Sequence, residues 1–411
     1  MKKVYHCTLH TLSPVHIGCG QEYDPMNSRI DPVAQKLISY NPLDLVNSLD
    51  DKSRGTFKEL CLRTGRPDVI LMELYRFAAA RDVAGRQIPI PANLAKRYSE
   101  LVLQYKERSY GNKPSEDFNR FRIERQAFSS LDNAAYIPGS SLKGAFRTAF
   151  LEIQARKNKV SDYFKKAHPN LVQESKENNS SYHDSLSKLN IPQRELNKKF
   201  SVAAKQMEEN LLNGSFETDP FRLVKVSDFM PANPDSIKMR IYYLLNILKP
   251  PNGKTGRAPY QVLEAIGSIS ALKGRITIDH GNHDHIRIKL GDDFFKMISE
   301  RYESLRSKEA EDLKKLNLMD QAGQNYARFR GKFHGSPGYL LRIGRHSGAE
   351  AVTLESNRLI YIMPKKGEKG SYKPEPTTFW LAGIDERGFH RTNLIPMGWV
   401  GLVIDQEETI P

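Results

Sequence analysis

Apolar and polar residues alternate over residues 4–12, with Tyr5, Cys7, Leu9 and Thr11 on one side and His6, Thr8 and His10 on the other. A period of two predicts a strand with one buried face. Residues 36–40 predict a second short strand, and Asn41-Pro42-Leu43-Asp44-Leu45 a turn into a helix. Residues 56–110 predict helix with one interruption at Ile88-Pro89-Ile90-Pro91, where two prolines forbid continuity. The period changes at residue 142. Leu142, Ala145, Phe146, Ala149 and Phe150 recur at helical spacing and mark one apolar face. Residues 151–213 carry eleven Lys or Arg and few large apolar side chains, which predicts a solvated helical insertion with a looser stretch at 174–187. A strand is expected at 221–226, and a hairpin from residues 275–279 and 286–290 around a polar loop. Residues 294–318 predict a long amphipathic helix, and 359–363 and 399–404 further strands.

The helix predicted from residue 142 has an unusual entry, Ile137-Pro138-Gly139-Ser140-Ser141-Leu142-Lys143. Free backbone N–H groups, two small hydroxyl residues and the cations Lys143 and Arg147, one turn apart, suit an anionic oxygen such as a phosphate. An ordinary amphipathic helix with a serine cap has the same letters. The second chemically informative stretch is 326–348. It carries Arg328, Arg330, Lys332, Arg342 and Arg345 with no acidic residue, and four aromatics interleaved with five glycines. Cations hold phosphates, aromatics stack on unpaired bases, and glycine admits a close sugar-phosphate chain. A solvated basic loop over a small aromatic core is the alternative.

Global composition fits a nucleic-acid partner without requiring one. The 411 residues carry a net charge of +14, with a 39% hydrophobic and 27% charged composition that excludes a wholly disordered chain. Cys7, Cys19 and Cys61 form no C-x-x-C pair, which predicts reduced thiols. No apolar leader core follows Met1 and no run of about 18 apolar residues occurs, so a cytoplasmic location away from membranes is expected. His280, His283 and His285, with Asp279 and Asp284, are the best metal candidates, but no distant ligand completes them, and a polar hairpin tip is preferred. No metal, cofactor or P-loop is expected.

Four segments, in order, are similar to motifs of the RAMP superfamily, the RNA-binding subunits of CRISPR ribonucleoproteins. They are Leu12-Ser13-Pro14-Val15-His16-Ile17-Gly18-Cys19-Gly20, the stretch Ile137 onward to Arg147, Asp219-Pro220-Phe221-Arg222-Leu223-Val224-Lys225-Val226-Ser227-Asp228-Phe229, and Gly335-Ser336-Pro337-Gly338 through Arg345-His346-Ser347-Gly348. Pro396-Met397-Gly398-Trp399-Val400 resembles the ending of the head-capping subunit of type III-A (Csm) effectors. The resemblance implies an α+β fold of two ferredoxin-like (RRM-like) domains, residues 1–235 with the insertion and 236–411 with a glycine-rich loop at 335–348. It implies a non-catalytic subunit that binds the 3′ part of the crRNA, caps the complex and contributes to crRNA maturation and antiviral defence.

Expected partners are crRNA, target RNA through the assembled complex, a backbone RAMP subunit, the small helical Csm subunit, and host nucleases that trim the crRNA 3′ end. Expected RNA contacts are His16, Gly18, Gly139, Ser140, Ser141, Lys143, Arg147, Arg330, Arg342, Arg345 and His346. Related endoribonucleases use N-terminal histidines, but no acid–base partner accompanies His16 in the sequence. Asp24 and Asp31 match the family's target-cutting aspartate poorly. A metal-independent crRNA-processing nuclease and a pure assembly subunit are the alternatives.

Overall fold

The computed structural model describes residues 1–103, 122–170, 181–189, 191–233, 236–254, 260–332, 338–364, 369–386 and 393–410. The fold is α+β. Its strands are β1 (Lys2–Thr11), β2 (Gly18–Glu22), β3 (Ser28–Asp31), β4 (Lys36–Ser39), β5 (Arg86–Pro89), β6 (Ile123–Gln126), β7 (Val224–Val226), β8 (Met230–Pro231), β9 (Met239–Leu248), β10 (Gln261–Ile266), β11 (Ala271–Asp279), β12 (Gly338–Arg342), β13 (Ile360–Ile362), β14 (Ser371–Lys373), β15 (Thr378–Gly383), β16 (Ile395–Pro396) and β17 (Trp399–Ile410). Helices α1 (Pro42–Asn47), α2 (Asp51–Leu62), α3 (Pro67–Ala79) and α4 (Ala92–Tyr98) precede α5 (Gly139–Lys157). Then come α6 (Tyr163–Ala167), α7 (Tyr182–Lys188), α8 (Gln193–Leu211), α9 (Phe294–Lys315), α10 (Gln321–Lys332) and α11 (Ala349–Val352).

Strand β1 is the spine of the first large sheet, antiparallel to β11 on one side and β17 on the other. The sheet runs β12-β17-β1-β11-β7, with β8 also on β11. Followed along the chain, β1, α5, β7, β11, α9 and β17 form a β-α-β-β-α-β path whose strands lie in the order fourth, first, third, second. The alternation in β1 has the expected cause. Tyr5, Cys7 and Leu9 point into a core with Phe146, Ala149 and Phe150 of α5 and Phe294, Phe295 and Ile298 of α9. Burial of each large side chain there contributes about 1.5–3 kcal/mol. Tyr302 of α9 is fully buried and donates its hydroxyl to the Ala145 carbonyl at 3.0 Å, fixing the two helices against each other.

The second large sheet runs β16-β15-β9-β10-β6-β2, with β6 and β10 parallel. Both sheets take strands from either side of residue 235, so the expected division at 235/236 does not separate them. Three expectations need correction. Residues 286–290 form no strand, because β11 already has β1 on one edge and β7 and β8 on the other; Ile286 and Leu290 are buried as loop residues instead. The helical stretch after residue 56 breaks a second time, at Arg66-Pro67, where the proline opens a new helix. The insertion is less solvated than its charge suggested: α8 buries Leu196, Phe200, Ala203, Met207 and Leu211 along one face. Part of the looser stretch expected at 174–187, residues 174–180, lies outside the described residues.

The two sheets meet where several chain segments pass between them. Residues 12–17 leave β1 for β2, residues 267–270 join β10 to β11, and Met397-Gly398 join β16 to β17. The Leu12 and Ser13 amides donate to the Trp399 carbonyl, at 2.9 and 3.2 Å, while Val15 and Ile266 exchange two 2.9 Å bonds. Gly398 donates to Pro14 at 2.8 Å and accepts from Ile343 at 2.9 Å; its φ is +90° and an added Cβ would lie 2.3 Å from the Ile343 carbonyl oxygen. Only glycine fits there.

Beneath this crossing Glu309 of α9, 5% exposed, accepts from Arg342 at 2.8 Å and from the Trp399 indole at 2.7 Å. Arg342 also donates to the Met397 carbonyl at 3.0 Å and stacks 4.7 Å from the Trp399 ring. Glu309→Ala therefore leaves a buried guanidinium without its counter-ion and should lower unfolding free energy by about 3–5 kcal/mol. Denaturant titration of this variant against Glu311→Ala, an exposed neighbour expected within about 0.5 kcal/mol of the parent, checks it.

Candidate functional site

Two clusters gather most of the expected contact residues. The first is the start of α5. The amide of buried Gly139 donates to the Asp228 carboxylate at 2.8 Å, and an added Cβ would lie 2.3 Å from the Val226 carbonyl oxygen. The helix N-terminus thus holds an internal anion, and the glycine is required by close packing against the segment after β7. Arg147 does not face an open cradle. It donates to Glu208 at 2.6 Å and Asp219 at 2.9 Å, tying α5 to α8 and to the turn before β7. Burial opposes its charge, and these two carboxylates more than offset that and raise its pKa. Ser140 is exposed, Ser141 and Lys143 are half-buried, and none of the three has a side-chain hydrogen bond or ion pair among the described residues. Partial burial lowers the Lys143 pKa, which Asp219 partly counters.

The second cluster lies at the crossing between the sheets. Residues 343–348 sit on residues 14–17 through the Arg345 amide, which donates to the His16 carbonyl at 2.9 Å. Gly344, with φ +85°, permits that approach, since an added Cβ would be 2.7 Å from the His16 oxygen. The His16 ring is fully buried, with Nδ1 2.6 Å from the Glu264 carbonyl oxygen and Nε2 3.6 Å from the Glu124 carboxylate. Burial lowers its pKa, and the bond to Glu264 only partly offsets this. A neutral ring donating from Nδ1 leaves Nε2 as an unpartnered acceptor. Arg345 is half-exposed and paired with Glu124. His346, in the left-handed region with φ 66°, packs against Trp380 with ring centroids 5.3 Å apart and the rings tilted by 53°. Burial, then Arg345 and His16, push its pKa down to about 3. Gly18 is exposed, and a Cβ there would approach His16 Nε2 to 3.4 Å.

The structure brings His16, Gly18, Arg345 and His346 together and separates Arg342 from them. Arg342, expected in the same cradle, points inward to Glu309 because its guanidinium completes the buried Trp399–Glu309 network. Arg330 is exposed on α10, with Glu303 and Tyr326 as its contacts. Sequence reasoning missed Glu124 and Glu264. Glu264 is fully buried, accepts from Arg86 at 2.6 Å and from the Gln126 amide at 3.1 Å, and lies inside the apolar run Val262-Leu263-Glu264-Ala265-Ile266. A lone acid in such a run was the available signal.

The acidic and histidine candidates have local work. Asp24 accepts from the Met26 amide at 2.8 Å, and Asp31 from Val33 and Ala34 at 3.0 and 2.9 Å. His283 contacts Asp279 at 3.3 Å, and no group of three ligand-type residues that could hold a metal occurs among the described residues. No helix among the described residues is long and apolar enough to cross a membrane.

The RAMP superfamily model matches residues 8–329, spanning the β1 exit, the α5 entry and both core helices. The chain belongs to the RAMP superfamily. This RAMP protein is similar to CRISPR system Cms protein Csm5 of Methanocaldococcus jannaschii, with 22% identity over 77% of the chain and 60% of that relative's length. Its fold also resembles a chain of the Csm-crRNA-target RNA ternary complex of a type III-A CRISPR-Cas system solved by cryo-EM, with TM-score 0.55, 20% identity and coverage of 97% and 100%. The crystal structure of T. onnurineus Csm5 aligns with TM-score 0.52, 21% identity and coverage of 96% and 99%.

The His346 ring has a direct pH consequence. An unfolded histidine takes its proton near pH 6.5, the folded one only near 3, so the unfolded state binds more protons between those values. Its contribution is present above about pH 6.5 and is lost on acidification, about 2 kcal/mol of it by pH 5. In thermal melts, His346→Asn, which tolerates the left-handed backbone, should reduce the loss of stability between pH 7 and 5.

Proposed function

We propose that this RAMP protein is a crRNA-binding subunit of a type III-A CRISPR ribonucleoprotein, capping the complex at the crRNA 3′ part and contributing to crRNA maturation. The observation that carries this reading is the superfamily match across residues 8–329, with the two motif clusters built as glycine-dependent backbone crossings. The likeness to Csm5 and to a chain of a crRNA-containing complex supports the subunit assignment. Neighbouring RAMP and small helical subunits are the protein partners, and nucleases that trim the crRNA 3′ end belong to the same proposal. The two large sheets serve as its two ferredoxin-like modules, each drawing strands from both halves of the chain.

In this reading the contact set is narrower than the sequence motifs. Ser140, Ser141 and Lys143 offer one phosphate site, and Arg345 with the backbone of residues 344–346 another, joined by Arg330. Arg147 and Arg342 hold the scaffold through their carboxylates. One subunit must accept guides of any sequence, so phosphate and sugar contacts fit better than base contacts. The role is non-catalytic. As an RNA-cleaving base, His16 is disfavoured because its ring is sealed from solvent in this arrangement.

Lys143→Ala with Arg345→Ala should weaken single-stranded RNA binding equally for unrelated sequences and flatten its log–log salt slope by about 1.4, or 0.7 per lost phosphate contact. Unchanged affinity and slope in filter-binding titrations overturn this contact set. Glu124 competes with RNA for Arg345. Glu124→Gln should raise affinity up to about fivefold, the worth of a surface ion pair.

A further inference from the structure

The outward face of the first sheet, opposite the α5 and α9 layer, carries cations that no internal carboxylate neutralises. Along β11, Leu272, Ile276 and Ile278 are buried while Lys273 and Arg275 are exposed. Strand alternation sends Lys273, Arg275 and Thr277 to one face. On β7, exposed Lys225 lies opposite Thr277, with Val224 buried behind it. On β1, Thr8 lies opposite Lys273 and His6 opposite Arg275. Lys225, Lys273 and Arg275 have no ion pair among the described residues, unlike Arg147, Arg342 and Arg345.

The acids bordering this face have other partners than these three cations. Asp405 accepts from Thr8 at 2.6 Å, Glu408 contacts His6 at 3.3 Å, and Asp279 accepts from Gly281 at 2.9 Å. The basic patch continues around the β7 edge towards α5. The Ser227 hydroxyl accepts from the Arg275 amide at 2.8 Å, and the Ser227 carbonyl oxygen lies 2.6 Å from where a Gly139 Cβ would be. Exposed Ser140 follows directly.

Residues two apart on a strand are about 6.6 Å apart, so Lys273 and Arg275 repel one another across a fixed spacing. A polyanion relieves that repulsion. The outward positions of β1, β7 and β11 present no Phe, Tyr or Trp and only the histidine rings of β1, so contacts beside Lys225, Lys273 and Arg275 fall on phosphate. We infer that this face is a second binding surface for the sugar-phosphate backbone of single-stranded RNA, continuous with the start of α5 and distinct from the glycine-loop site. The inference rests on the crRNA-binding reading and adds Lys225, Lys273 and Arg275 to it.

The test uses the full chain and an oligouridylate about 20 nucleotides long, longer than one such groove occupies. The triple variant Lys225→Gln, Lys273→Gln, Arg275→Gln changes only exposed side chains, and a thermal melt matching the parent verifies its fold. Its log–log salt slope should be shallower by about 2, three contacts at roughly 0.7 each. The charge reversals Lys225→Glu and Arg275→Glu should weaken binding further at low salt. A triple variant that binds with the parent's affinity and slope overturns the inference and leaves the crRNA reading standing. A parent chain that does not bind RNA sinks both. Crosslinks from Lys225 and Lys273 to a neighbouring protein subunit, rather than to RNA, also overturn it.

Discussion

The backbone of residues 12–17 is the constraint on which the rest of the structure depends. It is bonded on one side to Trp399 and Gly398 and on the other to Ile266, while the Arg345 amide closes on His16. Buried peptide groups must find partners, so this segment fixes the registration of β17, β10 and the loop after β12 at once. The two sheets meet at this crossing, and the half-exposed Arg345 stands there because the backbone beneath it is held by these bonds. Glu309, Arg342 and Trp399 supply the matching side-chain constraint from below.

This arrangement explains why a basic motif is a poor guide to which cations face a ligand. Arg147 and Arg342 have the same composition signal as Lys143 and Arg345. What separates them is how distant carboxylates hold them: Glu208 and Asp219 clamp Arg147 and Glu309 buries Arg342, whereas Arg345 stays half-exposed beside Glu124 and Lys143 has no ion pair among the described residues. The helix face of Lys143 and Arg147 was legible, but the packing of α8 that consumes Arg147 was not. Glycines were more readable. Gly139, Gly344 and Gly398 each lie where a Cβ would strike a carbonyl oxygen, a requirement that leaves its mark directly in the sequence.

Local periodicity carried the elements whose burial is decided by one face. β1, the apolar stripe of α5 and the amphipathic α9 follow the pattern of their residues. Pairing was not legible, because it depends on which strand reaches an edge first in space. The alternation at 286–290 looked like a hairpin partner for β11, yet both edges of β11 are filled by β1, β7 and β8. The sharing of strands between the two halves of the chain was hidden for the same reason: sheets made from distant strands leave no composition break between them.

The position of β17 has a consequence for how the protein is made. β1 spans residues 2–11 and its neighbour β17 spans residues 399–410, so one edge of β1 has no partner until the far strand has been synthesised. At ordinary translation rates of about 5–20 residues per second the delay is on the order of 20–80 s. During that time Tyr5, Cys7 and Leu9 lie on a strand with an open edge, the geometry that recruits other chains. A nascent-chain chaperone has its window of action there, and contacts of such sequence separation are intrinsically slow to close.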